Sequence, residues 1–260
     1  MIAAGRHLYE ISQYPCLGNG YQWSDHEFSS ALREHVIARL FDDEGTKIFR
    51  EIFTNFQETE FESNKLEEIL STPSGTEYWR IGESIAEVYL TDHKSCLFPW
   101  PSSRDIRKER SSLPGVDLVG IHRDSKGDCL VFGEVKTSHQ NKYPPDVMYK
   151  MEKQLKNLYN PEGHVQLLRY LGVRAQGTEW HDRFQRAMYR YLKDNCDVQL
   201  FGFLVRDVDS NEADIRGCVT KLSLSCPDGM RVEIVTLYLP NNASENIEDT
   251  VVTLRRGDKV

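Results

Sequence analysis

The segment Cys129-Leu-Val-Phe-Gly-Glu-Val-Lys136 constrains this chain more than any other. Rich in β-branched and aromatic residues, it reads as a strand. Alternation with period two then places Leu130, Phe132, Glu134 and Lys136 on one face, and Val131, Gly133 and Val135 on the other. An apolar face thus ends in two opposite charges. Burying charges at a strand end costs several kcal/mol unless they are paired or bind a metal, so the arrangement asks for a partner.

The preceding residues supply one. Gly115-Val-Asp-Leu-Val-Gly-Ile121 reads as a short strand, and Asp124-Ser-Lys-Gly-Asp128 as the turn of a hairpin. That hairpin brings Asp117 alongside Glu134, so two carboxylates and an ammonium converge. Carboxylate oxygens are the hard ligands that Mg²⁺ prefers, with Mn²⁺ as a substitute, and Mg²⁺ keeps several waters while taking one or two protein carboxylates. Upstream, Pro73-Ser74-Gly75 breaks the chain and Thr76 is placed to cap a helix reaching Leu90. Ile81, Ile85, Val88 and Tyr89 form one apolar stripe of it, and Trp79, Ala86 and Leu90 a second. Glu83 falls within the second stripe, half-buried, and is the candidate third carboxylate; Glu87, one turn on, competes with it.

The rest of the chain frames this centre. The first 70 residues read as helical: Ser24 is a candidate N-cap for a helix through Phe41, and a second helix covers Thr46 to Phe56 with an Ile48, Ile52, Phe53, Phe56 stripe. Helices are expected over Pro145–Leu158 and Thr178–Asn195, strands over Val198–Val205 and Arg231–Leu239, and an exposed loop over Asp207–Gly217. The organisation expected is an α/β chain with a mixed central sheet flanked by helices. Residues 1–72 would be an N-terminal helical region and 73–260 the catalytic-type domain, or the two one continuous domain.

Composition sets limits on partners. With 260 residues and 12 Tyr, 11 Phe and 4 Trp, the chain can bury a core without disulfide support. The six cysteines show no CxxC pair and no zinc spacing, so free thiols in a reducing cytoplasm are expected. The start lacks a secretory apolar stretch, and nowhere do 18 apolar residues run uninterrupted, so no membrane association is expected. A net charge of −8 gives no overall pull on a phosphate backbone, although Arg104, Arg107, Lys108 and Arg110 form a local basic run. No Gly-rich phosphate loop, G-x-S-x-G elbow or H-E-x-x-H motif occurs.

Gly115-Val-Asp117 followed by Gly133-Glu134-Val-Lys136, behind a helix holding Glu83, resembles the PD-(D/E)xK restriction-endonuclease-like superfamily. The order helix, strand, turn, strand, helix fits that core, although Val116 stands where the family often has proline and the nearest proline is Pro114. Gln154 in the following helix resembles an auxiliary position of several members. Gly82-Glu83-x-x-Ala86-Glu87, Gly115-Val-Asp-Leu-Val-Gly120 and Gly133-Glu-Val-Lys-Thr-Ser138 further resemble the HamA small nuclease subunits of Hachiman antiphage systems. What these resemblances imply is a Mg²⁺-dependent nuclease acting on DNA, with Asp117, Glu134 and Glu83 as metal ligands, Lys136 as catalytic residue, and a helicase or ATPase partner that presents the strand. A catalytically silent scaffold of the same fold and a stand-alone restriction or repair endonuclease are the competing expectations.

Overall fold

The computed structural model describes residues 1–54, 64–65, 77–101, 104, 115–194 and 196–257. Its strands in chain order are β1 (Arg6–Gln13), β2 (Cys16–Gln22), β3 (Cys96–Leu97), β4 (Leu118–Asp124), β5 (Gly127–Ser138), β6 (Val198–Arg206) and β7 (Met230–Tyr238). The helices are α1 (Asp25–Ala31), α2 (Ile37–Leu40), α3 (Asp43–Thr54), α4 (Tyr78–His93), α5 (Val147–Asn157), α6 (His164–Ala175), α7 (His181–Lys193), α8 (Ala213–Ser223) and α9 (Ile247–Gly257).

The strand that carries the two charges lies inside the sheet, flanked on both sides. β5 pairs antiparallel with β4 through the anticipated hairpin and parallel with β6, and both registers run without a bulge. The full sheet has seven strands in the order β1-β2-β7-β6-β5-β4-β3, parallel through β2, β7, β6 and β5 and antiparallel at both edges. The fold is therefore α/β with a mixed central sheet, as the sequence suggests. Strands buried on both faces read as continuous apolar runs, and β6, Val198-Gln-Leu-Phe-Gly-Phe-Leu-Val-Arg206, is buried along its whole length.

Alternation sorts the core into two layers. Val131, Val135, Phe201, Phe203, Val235 and Leu237 face α1, α2, α4 and α9. Leu130, Phe132, Leu200, Leu204, Val232 and Ile234 face α5, α6, α7 and α8. Helix α4 has apolar stripes on two sides because it lies between the sheet and the α1–α2 layer, which contributes Leu32, Val36 and Leu40. Ser24 caps α1 as anticipated: its hydroxyl accepts the Glu27 amide and the Glu27 carboxylate accepts the Ser24 amide, a capping box.

The structure departs from the sequence expectations at four places. The region 1–72 is not wholly helical, since β1 and β2 form a hairpin that joins β7, and one sheet spans the boundary drawn at residue 73. The short turn at Tyr14-Pro15 and the weak alternation of Tyr9 and Ile11 conceal those strands. Ile48, Ile52 and Phe53 are exposed along α3 instead of forming a buried stripe; Phe56 and the break at Pro73-Ser74-Gly75 with the Thr76 cap lie outside the described residues. Asp207–Gly217 is not all loop: Asn211 accepts the Ala213 amide and α8 begins there, burying Ile215, Cys218, Val219 and Leu222 at helical spacing. Helices α6 and α9 are additions to the expected set, although Leu167, Leu171 and Ala175 carry the helical period of the first.

One glycine fixes how α4 meets the sheet. A Cβ at Gly82 would come 2.1 Å from Thr137 Cγ2, so only glycine lets the helix settle over the end of β5. Replacing a mid-helix glycine by alanine ordinarily stabilises by about 0.5–1 kcal/mol. Here Gly82→Ala is expected to destabilise by about 1–3 kcal/mol in chemical denaturation, because the added methyl overpacks the contact. Thr137→Ser, which removes the opposing methyl, should recover most of that loss; a double variant as unstable as Gly82→Ala would show that the clash is not the cause.

Candidate metal centre

Where β4 begins, the strand ladder hands over to a side chain. Leu118 is the first residue of β4 and pairs with Gly133, so Asp117 stands one step beyond the ladder, opposite Glu134. The amide of Val135, which lacks a strand partner there, donates to Asp117 Oδ2 at 2.8 Å. A buried amide must be satisfied, and the short Asp117 carboxylate does this while keeping its second oxygen for other work.

Lys136 closes the group. Its Nζ donates to Glu134 Oε2 at 3.0 Å and to the Val135 carbonyl at 3.0 Å, and lies 3.5 Å from Asp117 Oδ2. The carboxyl groups of Glu134 and Asp117 are also within hydrogen-bond reach of each other. Asp117, Glu134 and Lys136 therefore converge as the alternation requires. Glu134 is only 1% exposed, because Gly202 beside it in β6 leaves room for Met151 and Leu155 of α5 to close over the strand.

Burial and the neighbouring Asp117 together push the Glu134 carboxyl up to about 8, with Lys136 opposing both. Two carboxylates share one ammonium, so the group is short of positive charge. A divalent ion has the charge and the oxygen preference to relieve it.

Glu83 does not join this group. Among the described residues no three His, Cys, Asp or Glu side chains converge in metal-holding geometry. Helix α4 packs on the Val131 and Val135 face, whereas Glu134 lies on the Leu130 and Phe132 face. The Gly82 contact with Thr137 does put half-buried Glu83 at the same end of β5 as Lys136. Its rival Glu87 is buried and ion-paired with Arg39. Gln154 is half-buried on α5. His122 bonds the Lys94 carbonyl at 2.7 Å and burial lowers its pKa, which marks it as a packing residue. Of the basic run, Arg104 is forked onto Asp42 at 2.6 Å, and Arg107, Lys108 and Arg110 lie outside the described residues.

A second charged group, which the sequence reading does not single out, lies at the hairpin end of β5. Asp128 is buried beneath Arg123, Arg183 and Arg186, and Arg190 bridges Asp124 and Asp197. Its signal is the recurrence of Arg183, Arg186 and Arg190 at i, i+3 and i+7 along α7. A scan against protein-family models finds no match to this chain, and neither does a search of curated proteins.

The displaced Glu134 pKa sets the pH dependence of stability. Below the ordinary carboxylate range the native and unfolded chains both carry the proton. Between that range and about 8 the native chain retains a proton that the unfolded chain releases, so stability falls as pH rises and levels off above about 8. Thermal unfolding of the metal-free chain across that window should show this decline, and Glu134→Gln, which cannot ionise against Asp117, should flatten it. An identical slope in both proteins would remove Glu134 as its source.

Proposed function

We propose that this chain is a divalent-metal-dependent nuclease that hydrolyses phosphodiester bonds in DNA. The observation that carries the reading is the convergence of Asp117, Glu134 and Lys136 at one strand end, two carboxylates against a single ammonium. The donor set fits Mg²⁺ or Mn²⁺: both candidate ligands offer hard carboxylate oxygens, and Mg²⁺ needs only one or two of them. Asp117 and Glu134 would hold the ion, which when bound polarises a phosphate oxygen and lowers the pKa of its water.

The protein's own groups define the remaining roles. Asp117 is oriented by the Val135 amide, so its position is set by the backbone and not by a flexible rotamer. Burial makes Glu134 reluctant to stay charged alone, so it exchanges its proton for a cation. Lys136 is held by Glu134 and the Val135 carbonyl, and supplies positive charge where the attacking water and the transition state gain negative charge. Glu83, carried by the helix on the other face, is left out of this set. The net charge of −8 makes a helicase or ATPase partner the natural source of the strand, as in an antiphage defence complex. Such a chain is expected to co-elute from the native host.

Plasmid and single-strand cleavage in Mg²⁺, Mn²⁺ or EDTA, with and without that partner, tests the reading. Lys136→Ala is expected to lower cleavage by about 10²-fold or more, while metal-induced thermal stabilisation survives. Glu134→Ala should lose both. Lys136→Arg should not rescue, since a permanently charged planar fork neither shuttles a proton nor occupies the same compact position. Near-normal cleavage by Lys136→Ala where Glu134→Ala is dead would overturn the assignment.

A further inference from the structure

A cleft of about 950 Å³ opens at the hairpin end of β5, between the β4–β5 turn and α7. Five cationic side chains line it, Arg123, Lys126, Arg186, Arg190 and Lys193, of which Arg190 is taken up by Asp124 and Asp197. Against them stand Asp128, Asp182 and Asp194. Asp128 is already saturated. Arg123 forks onto it at 3.1 and 3.2 Å, Arg186 donates to it at 2.8 Å and Arg183 at 3.1 Å. One carboxylate cannot neutralise three guanidiniums, and each guanidinium has five N–H donors of which these bonds use few. Arg123 and Arg186 remain 57% and 54% exposed. Lys126 and Lys193 are exposed, and Lys193 lies over the ring of Tyr189, which also lines the cleft, at 5.8 Å.

The cleft is thus a fixed surplus of positive charge on a chain whose net charge is −8. It lies at the opposite end of β5 from the candidate metal centre: alternation puts Asp128 and Glu134 on the same face of the strand, the one that α5, α6, α7 and α8 cover. They are six positions apart along the strand, a span of about 20 Å at 3.3 Å per residue.

We propose that this cleft holds the phosphate backbone of duplex DNA, at a place about 20 Å through the fold from the Asp117–Glu134 pair. The choice of DNA as occupant rests on the nuclease reading above; the surplus charge does not. Buried Asp128 clamps the arginines in place so that their free donors meet phosphates without first being ordered, and Lys126 and Lys193 add contacts on either side. Local attraction of this kind gives weak, salt-sensitive binding, which is compatible with a partner delivering the strand.

Binding is measured apart from cleavage. A fluorescein-labelled duplex of about 20 base pairs, titrated in EDTA with the full chain, is expected to bind in the range of about 10⁻⁶–10⁻⁴ M. Lys126→Glu combined with Lys193→Glu should weaken binding about tenfold or more and make the slope of log K against log salt shallower by about 2. Circular dichroism checks that the double variant is folded, and Lys126→Glu alone, in an exposed turn, serves if it is not. Unchanged affinity and slope, no binding by the unaltered chain, or binding of inorganic tripolyphosphate without any duplex would each overturn the proposal. If Mg²⁺-dependent cleavage is absent while charge reversal still weakens duplex binding, the cleft stands and the nuclease reading fails. If cleavage is present while charge reversal leaves duplex binding unchanged, the nuclease reading stands and the cleft fails.

Discussion

The amide of Val135 has no strand to bond, and the carboxylate of Asp117 takes the strand's place. Much of the centre follows from that substitution. β4 must start one residue after Asp117 for the side chain to reach the orphaned amide, and the uninterrupted hairpin register then leaves Asp117 facing Glu134. Had the register slipped by one residue, every side chain of β4 would have changed face, and Leu118 and Ile121 would have exchanged core layers. A single carboxylate thereby completes the backbone's hydrogen bonding and confronts a second carboxylate.

Such a confrontation is unfavourable in isolation. Glu134 is desolvated by α5, repelled by Asp117, and only partly compensated by Lys136. Replacing buried ion pairs with apolar residues often leaves a protein equally or more stable, so folding alone gives little reason to retain these three. Hairpin, helix packing and the glycine at position 202 all cooperate to hold them together. Strain of this kind collects at sites whose purpose is to receive something of opposite charge.

This centre is legible in the sequence because period-two alternation is a strong constraint: once Leu130 and Phe132 are inward, Glu134 must be too. Glu83 is harder to place, since its helical stripes say only that it is half-buried and not which sheet face its helix covers. That choice is made by the α1–α2 layer and by the Gly82 contact with Thr137, both tertiary. The N-terminal hairpin is concealed because β1 has few apolar residues and half of it is exposed, as an edge strand allows. The arginines of α7 escape notice for a different reason. A charged stripe on a helix ordinarily means a solvated face, and only the hairpin turn folded beneath it reveals carboxylates for them to bind.

The two charged groups at the ends of β5 are opposite in balance, and the difference bears on how they would work together. At the candidate metal centre two carboxylates exceed one ammonium, whereas at Asp128 three guanidiniums exceed one carboxylate. A polyanion approaching the acidic end alone would be repelled until a cation is bound there. Approaching the basic end first, it is attracted without any metal. With a Debye length of about 8 Å at physiological salt, ends about 20 Å apart are nearly independent, so the attraction at one is not cancelled by the repulsion at the other. The strand between them fixes their spacing, and under the proposed nuclease reading a bound cation would remove the repulsion that a backbone held at the hairpin end meets at the acidic end.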